Sequence, residues 1–203
     1  MKNAILAFAA VAAAGLSAAA HAGTITYSWH ASTGTASVGD TVVLTLHASI
    51  NTMGGPFNGL AVSEFNIGVG DAPGMGLLDN TAPGAGLKPS FLVGHQGTVV
   101  GNALIGAQAA QFPQMLNPGI NTAAEVDLYT IHYTILDGTP REILFVASIL
   151  DSKVYTNAFG NSATYDSISM PFTLNVVPVP APGALALLGA AGAIGLRRRR
   201  NVA

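Results

Sequence analysis

Glu125-Val126-Asp127-Leu128-Tyr129-Thr130-Ile131-His132-Tyr133-Thr134-Ile135-Leu136 is the strongest strand pattern in the chain. Val126 and Leu128 share one face, Ile131, Tyr133 and Ile135 share a face after a change of parity, and Asp137-Gly138 closes the run as a turn signal. A helix would repeat its apolar residues every three to four positions, and this stretch repeats them every second one. The same period recurs upstream. Thr24 to His30 sets Ile25, Tyr27 and Trp29 against Thr24, Thr26, Ser28 and His30, and Thr41 to Ile50 sets Val42, Leu44, Leu46 and Ala48 against Thr41, Thr45, His47 and Ser49. In Leu60 to Val69 the apolar parity passes from Leu60 and Val62 to Phe65, Ile67 and Val69, which predicts a β-bulge or a crossing between sheets near Ser63.

Downstream, Ile143 to Leu150 is apolar apart from Ser148, the pattern of a central strand buried on both faces, and Asp151-Ser152-Lys153 leads into Val154-Tyr155. Ile168, Met170, Phe172, Leu174 and Val176 then alternate with polar residues and Pro171, which a strand admits only at an edge or a bulge. Residues 70–97 are rich in Gly and Pro and predict sparse regular structure, whereas Thr98 to Phe112 reads as modest strand with one helical turn over Ala107 to Gln111 as its alternative. At least seven strands with hardly a helical pattern between them predict an all-β, two-sheet antiparallel jelly-roll sandwich.

Short motifs carry a resemblance in the same direction. Val38-Gly39-Asp40-Thr41-Val42-Val43-Leu44, Leu60 to Ile67, Leu128 to Tyr133 and Asp151 to Tyr155 are similar, in that order, to successive core strands of the cohesin-like β-sandwiches. That resemblance implies a binding module, since cohesins capture dockerins on a sheet face and relatives of the fold bind polysaccharide; it assigns no residue to either surface.

Two targeting patterns bracket this body. Lys2 heads a short n-region, Ala4 to Leu16 form an apolar run, and Ala20-His21-Ala22 is a small-x-small cleavage site, so residues 1–22 read as a signal peptide cut after Ala22. At the other end, Gly183 to Leu196 is apolar or glycine throughout and as a helix would reach about 21 Å, short of a hydrocarbon core of roughly 30 Å. Arg197, Arg198, Arg199 and Arg200 follow it, and positive charge after an apolar run stays cytoplasmic, which places everything upstream across the membrane.

The order of a Pro-x-Pro turn (Pro180, Ala181, Pro182), a short apolar helix and an Arg cluster resembles the PEP-CTERM sorting signal, with Ala181 where the family's motif has Glu. The resemblance implies transient insertion in the inner membrane, processing by an exosortase-type enzyme near Pro182, and release to the cell surface or extracellular matrix in company with exopolysaccharide or biofilm. A plain tail anchor with a positive inside flank is the simpler alternative. The domain reading is therefore a signal peptide over 1–22, a β-sandwich over 23–177 and a sorting signal over 178–203.

Charge belongs to the body, not to the chain as a whole. Lys88, Arg141 and Lys153 are its three cations against all ten acids, a net charge of −7 where the full chain reads −2. An acidic body of that kind disfavours nucleic acid and anionic lipid, which select basic patches. With no cysteine, disulfides, thiolate chemistry and Cys-ligated metal are all excluded.

Residues with chemistry are present without a constellation. The acids are scattered, several in turns that favour Asp for backbone reasons, and a secreted hydrolase would need a carboxylate pair about 5 to 10 Å apart in a cleft. No Gly-x-Ser-x-Gly elbow accompanies the Ser, His and Asp residues. His30, His47, His95 and His132 lack zinc spacing, three of them at outward strand positions. Asp71, Asp79, Asp151 and Asp166, in or near loops, are the candidate calcium ligands, without an EF-hand loop. Trp29, Tyr27, Tyr129, Tyr133 and Tyr155 are the candidate sugar-stacking aromatics, of which parity makes Tyr129 the best exposed. No catalytic, cofactor-binding or metal-ligating set is assigned, and the expected molecule is a non-enzymatic exported protein.

Overall fold

The computed structural model describes residues 23–52, 58–91, 93–116, 118 and 121–179. The expected signal peptide with Ala20 and Ala22, and the expected sorting signal from Pro180 through Arg200, lie outside them. Thirteen strands make up the regular structure of the described residues: β1 (Gly23–Ala31), β2 (Thr35–Ala36), β3 (Thr41–Thr52), β4 (Leu60–Gly70), β5 (Gly76–Asp79), β6 (Gly86–Leu87), β7 (His95–Val100), β8 (Ala103–Ala110), β9 (Glu125–Ile135), β10 (Arg141–Tyr155), β11 (Ser162–Thr164), β12 (Asp166–Ser169) and β13 (Phe172–Val176). They form two sheets. The first runs β12-β1-β3-β9-β5, with β6 also on β9, and the second β2-β13-β10-β4-β8-β7, with β11 also on β10. Pairing is antiparallel except at two places, where β12 joins β1 and β2 joins β13 in parallel. The all-β, two-sheet sandwich expected from the sequence is the observed fold.

Alternation does most of the building. Ile25 and Tyr27 on β1 and Val42, Leu44, Leu46 and Ala48 on β3 point into one core, where they meet Phe65 and Ile67 of β4, Leu104 and Ala107 of β8, and Ile143 and Phe145 of β10. At its centre the polar groups are paired, although Tyr165 Oη is buried with no hydrogen-bond partner among the described residues. Tyr27 Oη shares hydrogen bonds with Ser63 Oγ (2.7 Å) and Ser152 Oγ (2.6 Å), tying the first sheet to neighbouring strands of the second. Burial pushes the Tyr27 hydroxyl above its ordinary pKa, so it stays neutral. Tyr27→Phe strands two buried serine hydroxyls and is expected to cost about 1–3 kcal/mol by urea denaturation; an unchanged midpoint would show that the serines satisfy each other.

Both predicted changes of parity exist, and the structure moves them. In β4 the pairing to β10 passes from Lys153↔Val62 to Val154↔Leu60, so the extra residue is Ala61, Ser63 faces the core, and Val62 belongs to the outer side. In β9 the pairing to β3 passes from Leu46↔Tyr129 to His47↔Asp127, which makes Leu128 the bulged residue. That bulge puts Tyr129 in register with Ile131 and Tyr133, and it is fully buried rather than exposed.

Three other expectations are corrected. The run from Ile168 to Val176 is not one strand: β12 pairs with β1 in the first sheet, β13 with β10 in the second, and Pro171, which has no N–H for a ladder, lies at the crossing. Ile168 and Met170 are consequently exposed. Over Thr98 to Phe112 the strand reading holds and its helical-turn alternative over Ala107 to Gln111 falls; β7 and β8 form a hairpin through Gly101-Asn102, with Val100 opposite Ala103. Finally β10 is central but buried on one face only, with Leu144 and Leu150 in solvent.

Candidate functional site

Among the described residues the outer face of the second sheet is open to solvent across β10, β4, β8 and β7. Its composition follows from register. Val146 of β10 lies opposite Gly68 of β4, Gly68 opposite Ala103 of β8, and Ala103 opposite Val100 of β7, which makes one row across four strands. On one side of this row Leu144 pairs with Gly70, and on the other come Ser148, Asn66, Ile105 and Thr98. Leu144 is 44% exposed, Ile105 46% and Val100 63%, so the row and its flanks form an apolar strip. Beyond it the face turns polar with Glu64, Gln108 and His95 in register.

Gly68 is the floor of this strip. Its backbone is ordinary strand, with no positive φ, and a Cβ built there meets nothing within 4 Å. Nothing inside the fold requires glycine, which in a strand interior costs about 0.5–1 kcal/mol relative to alanine. A strand glycine of this kind suits close approach by another backbone. Beside it, the extra residue of β8 bends the strand: Gly106 takes φ +68° and its N–H donates to Asn66 Oδ1 at 2.7 Å.

A second constellation lies on the outer face of the first sheet. His47 of β3 pairs across the ladder with Asp127 of β9, and its Nδ1–H donates to Asp127 Oδ1 at 3.0 Å. Ser28 is the register partner of His47 on β1, so His30 sits one diagonal step away; the two imidazoles stack at 4.5 Å between centroids, and His30 Nδ1 lies 3.9 Å from the same carboxylate oxygen. His30 is 62% exposed and His47 15%. These residues border an open hollow of about 530 Å³ whose rim also carries Lys88, Ser90, Asn121 and Glu125. No local spacing announces the group. Parity puts both histidines outward, and only strand pairing brings them to Asp127.

The loop acids are not gathered into a site. Asp71 holds Arg141 in a bidentate pair, Nε to Oδ1 at 2.8 Å and Nη2 to Oδ2 at 2.9 Å, and accepts a third hydrogen bond from Tyr133 Oη at 2.7 Å. Burial opposes its charge, but the hydrogen bonds from Arg141 and Tyr133 outweigh that and hold the carboxyl below the usual carboxylate range. Asp79 closes a turn onto Thr81 N and Oγ1, which lowers its pKa as well. Asp151 pairs with Lys153 Nζ at 2.6 Å and accepts from Ser152 N, while Asp166 sits on the outer strand β12. Among the described residues, His30, His47 and Asp127 are the one group of three or more His or acidic side chains whose donor atoms converge, all within 4.8 Å.

The aromatic side chains do not form a platform either. Tyr27, Tyr129 and Tyr133 are fully buried, Trp29 is half-buried with its ring edge-to-face on Phe145, and Tyr155 donates to the Gln111 carbonyl at 2.7 Å. Tyr129 Oη is bound to the Gln96 carbonyl and accepts from Asn80 Nδ2.

Among solved structures the fold is similar to cohesins. The seventh ScaB type I cohesin from Pseudobacteroides cellulosolvens aligns with a TM-score of 0.58 and 8% identity, over 80% of this chain and 96% of that one. A chain of a type I cohesin–dockerin complex from Clostridium thermocellum aligns at 0.51 and 13% identity, over 76% of this chain and 99% of that one. The sixth cohesin of scaffoldin B from Acetivibrio cellulolyticus, solved with a Cel5 dockerin mutant, aligns at 0.50 and 9%, over 76% and 98%. No family model matches the chain, and no curated protein does. At these identities the likeness concerns the fold.

Proposed function

We propose that the sandwich is a non-catalytic protein-binding module, carried out of the cell by the two terminal signals, that takes its partner on the outer face of the second sheet. The observation that carries this is the open apolar strip of Leu144, Val146, Ile105 and Val100 around Gly68, where a flat backbone floor adjoins a polar rim. Two similar structures are cohesins solved in complex with dockerins, which supports a role of the same kind for this sandwich. The acidic body favours a partner with a complementary basic rim. Sorting by an exosortase-type enzyme and residence near exopolysaccharide belong to the same proposal and rest on Pro180-Ala181-Pro182 and Arg197 to Arg200.

The binding reading is tested by immobilising the full chain and its Gly68→Arg and Leu144→Glu variants against the secretome of the source organism and against its matrix polysaccharide. A protein retained by the native chain and reduced at least about a hundredfold with both variants is expected, since each places a desolvated charge in the centre of the interface. Equal retention by all three, or retention of polysaccharide alone, overturns it. Export is tested separately by intact mass of the protein from the cell surface and medium. Loss of residues 1–22 and of everything from about Pro182 is expected; retention of the Arg cluster would make the tail a plain anchor.

A further inference from the structure

We propose that His30, His47 and Asp127 form a binding site for a first-row divalent transition metal, of which zinc is the type, on the outer face of the first sheet. The surface lies on the other sheet from the protein-binding strip, so the two proposals stand or fall separately. Three adjacent strands deliver one donor each: His30 from β1, His47 from β3, Asp127 from β9. The bulge at Leu128, next to Asp127, is what breaks the β3–β9 register and fixes which β9 residue lies opposite His47.

Distances fit the ion. Three donors bonded to zinc at about 2.0–2.2 Å in a tetrahedron are separated from one another by about 3.3–3.6 Å. The Nδ1 atoms of His47 and His30 lie 3.0 and 3.9 Å from Asp127 Oδ1, on either side of that range. The ring planes are only 23° apart, so both nitrogens aim at one ion only after one imidazole turns about its Cβ–Cγ bond. His30, with most of its side chain in solvent, has the room to turn. Two imidazoles and a single carboxylate select borderline metals over calcium or magnesium, which take mostly oxygen ligands. The fourth coordination position opens onto the hollow beside Ser90, Asn121 and Glu125, where water or a donor from a bound molecule completes the shell. Binding through Nδ1 moves the proton of the neutral His47 ring to Nε2, so the ion replaces the hydrogen bond to Asp127 without net proton release.

The test is isothermal titration of the full chain, purified without a histidine tag, with zinc chloride, and with cobalt chloride followed by its visible absorption. One equivalent per chain is expected, with a tetrahedral cobalt spectrum and a raised melting temperature in zinc. His47→Ala and Asp127→Asn should each weaken zinc by at least about tenfold, His95→Ala and His132→Ala should leave it unchanged, and calcium should not compete. Melting of each variant without metal checks that it folds. Absence of zinc binding by the native chain, affinity unchanged in folded His47→Ala, or equal competition by calcium overturns the proposal.

Discussion

Arg141→Ala is expected to destabilise the sandwich by about 3–5 kcal/mol, because it leaves the Asp71 carboxylate buried without its counter-charge. The Asp71 side chain is 1% exposed and Arg141 14%, so water does not replace the lost partner. Arg141 does more than neutralise. Its Nη1 donates to the carbonyls of Asp137 and Thr139 and its Nη2 to that of Met75, so one guanidinium holds the loop ahead of β5, the turn ahead of β10 and Asp71 after β4. Tyr133, from the opposite sheet, completes the cluster, and burial together with the neighbouring carboxylate drives its hydroxyl far above the ordinary tyrosine range. Since the folded carboxyl of Asp71 titrates below its unfolded value, its contribution is fully present above about pH 4 and is lost as pH falls through the depressed folded pKa. Urea midpoints for native protein and Asp71→Asn should therefore differ by a steady gap above about pH 5 and converge as pH falls from about 4 toward 2. A gap independent of pH would mean that shape, not charge, holds this corner.

Phe145→Ala carries the other large cost, about 3–5 kcal/mol. Phe145 is fully buried in β10 and touches aromatic rings from both sheets: Tyr133 edge-on at 5.3 Å, Trp29 edge-on at 6.4 Å and Phe172 tilted at 6.1 Å. Truncation empties the place where the sheets meet, and the strands around it are pinned by ladders that prevent collapse into the space. Phe145→Leu should lose markedly less. Equal losses in the two variants would mean that ring contacts outweigh the cavity.

Legibility differed from strand to strand for identifiable reasons. The facing of β1 and β3 is legible in the sequence, because each has one face in the core and one in water, although each strand runs one or two residues beyond the span that alternation predicts. β10 reads as buried on both faces, yet among the described residues no further layer covers the second sheet, and Leu144 and Leu150 are exposed. Apolar content alone does not distinguish a strand covered on two sides from one that keeps a sticky outer face, and that difference is the candidate binding surface. The changes of parity in β4 and β9 were visible, but parity says only that an extra residue exists between two runs. Its placement at Leu128 instead of Thr130 decides whether Tyr129 is a surface ring or a core ring.

Period-two alternation, turn chemistry and the absence of helical periodicity were enough to determine the all-β class, most strand positions and the acidic, cysteine-free character of the body, since these are properties of short windows of chain. Which strands become neighbours is not such a property. Tertiary pairing alone sent β12 and β13 to different sheets across Pro171, closed Asp71 onto Arg141, and brought Asp127 beside His30 and His47 from a strand far off in sequence. Alternation survives a crossing between sheets unchanged, and a cross-strand cluster depends on register, which is fixed by the burial of a whole face and not by any residue within the cluster.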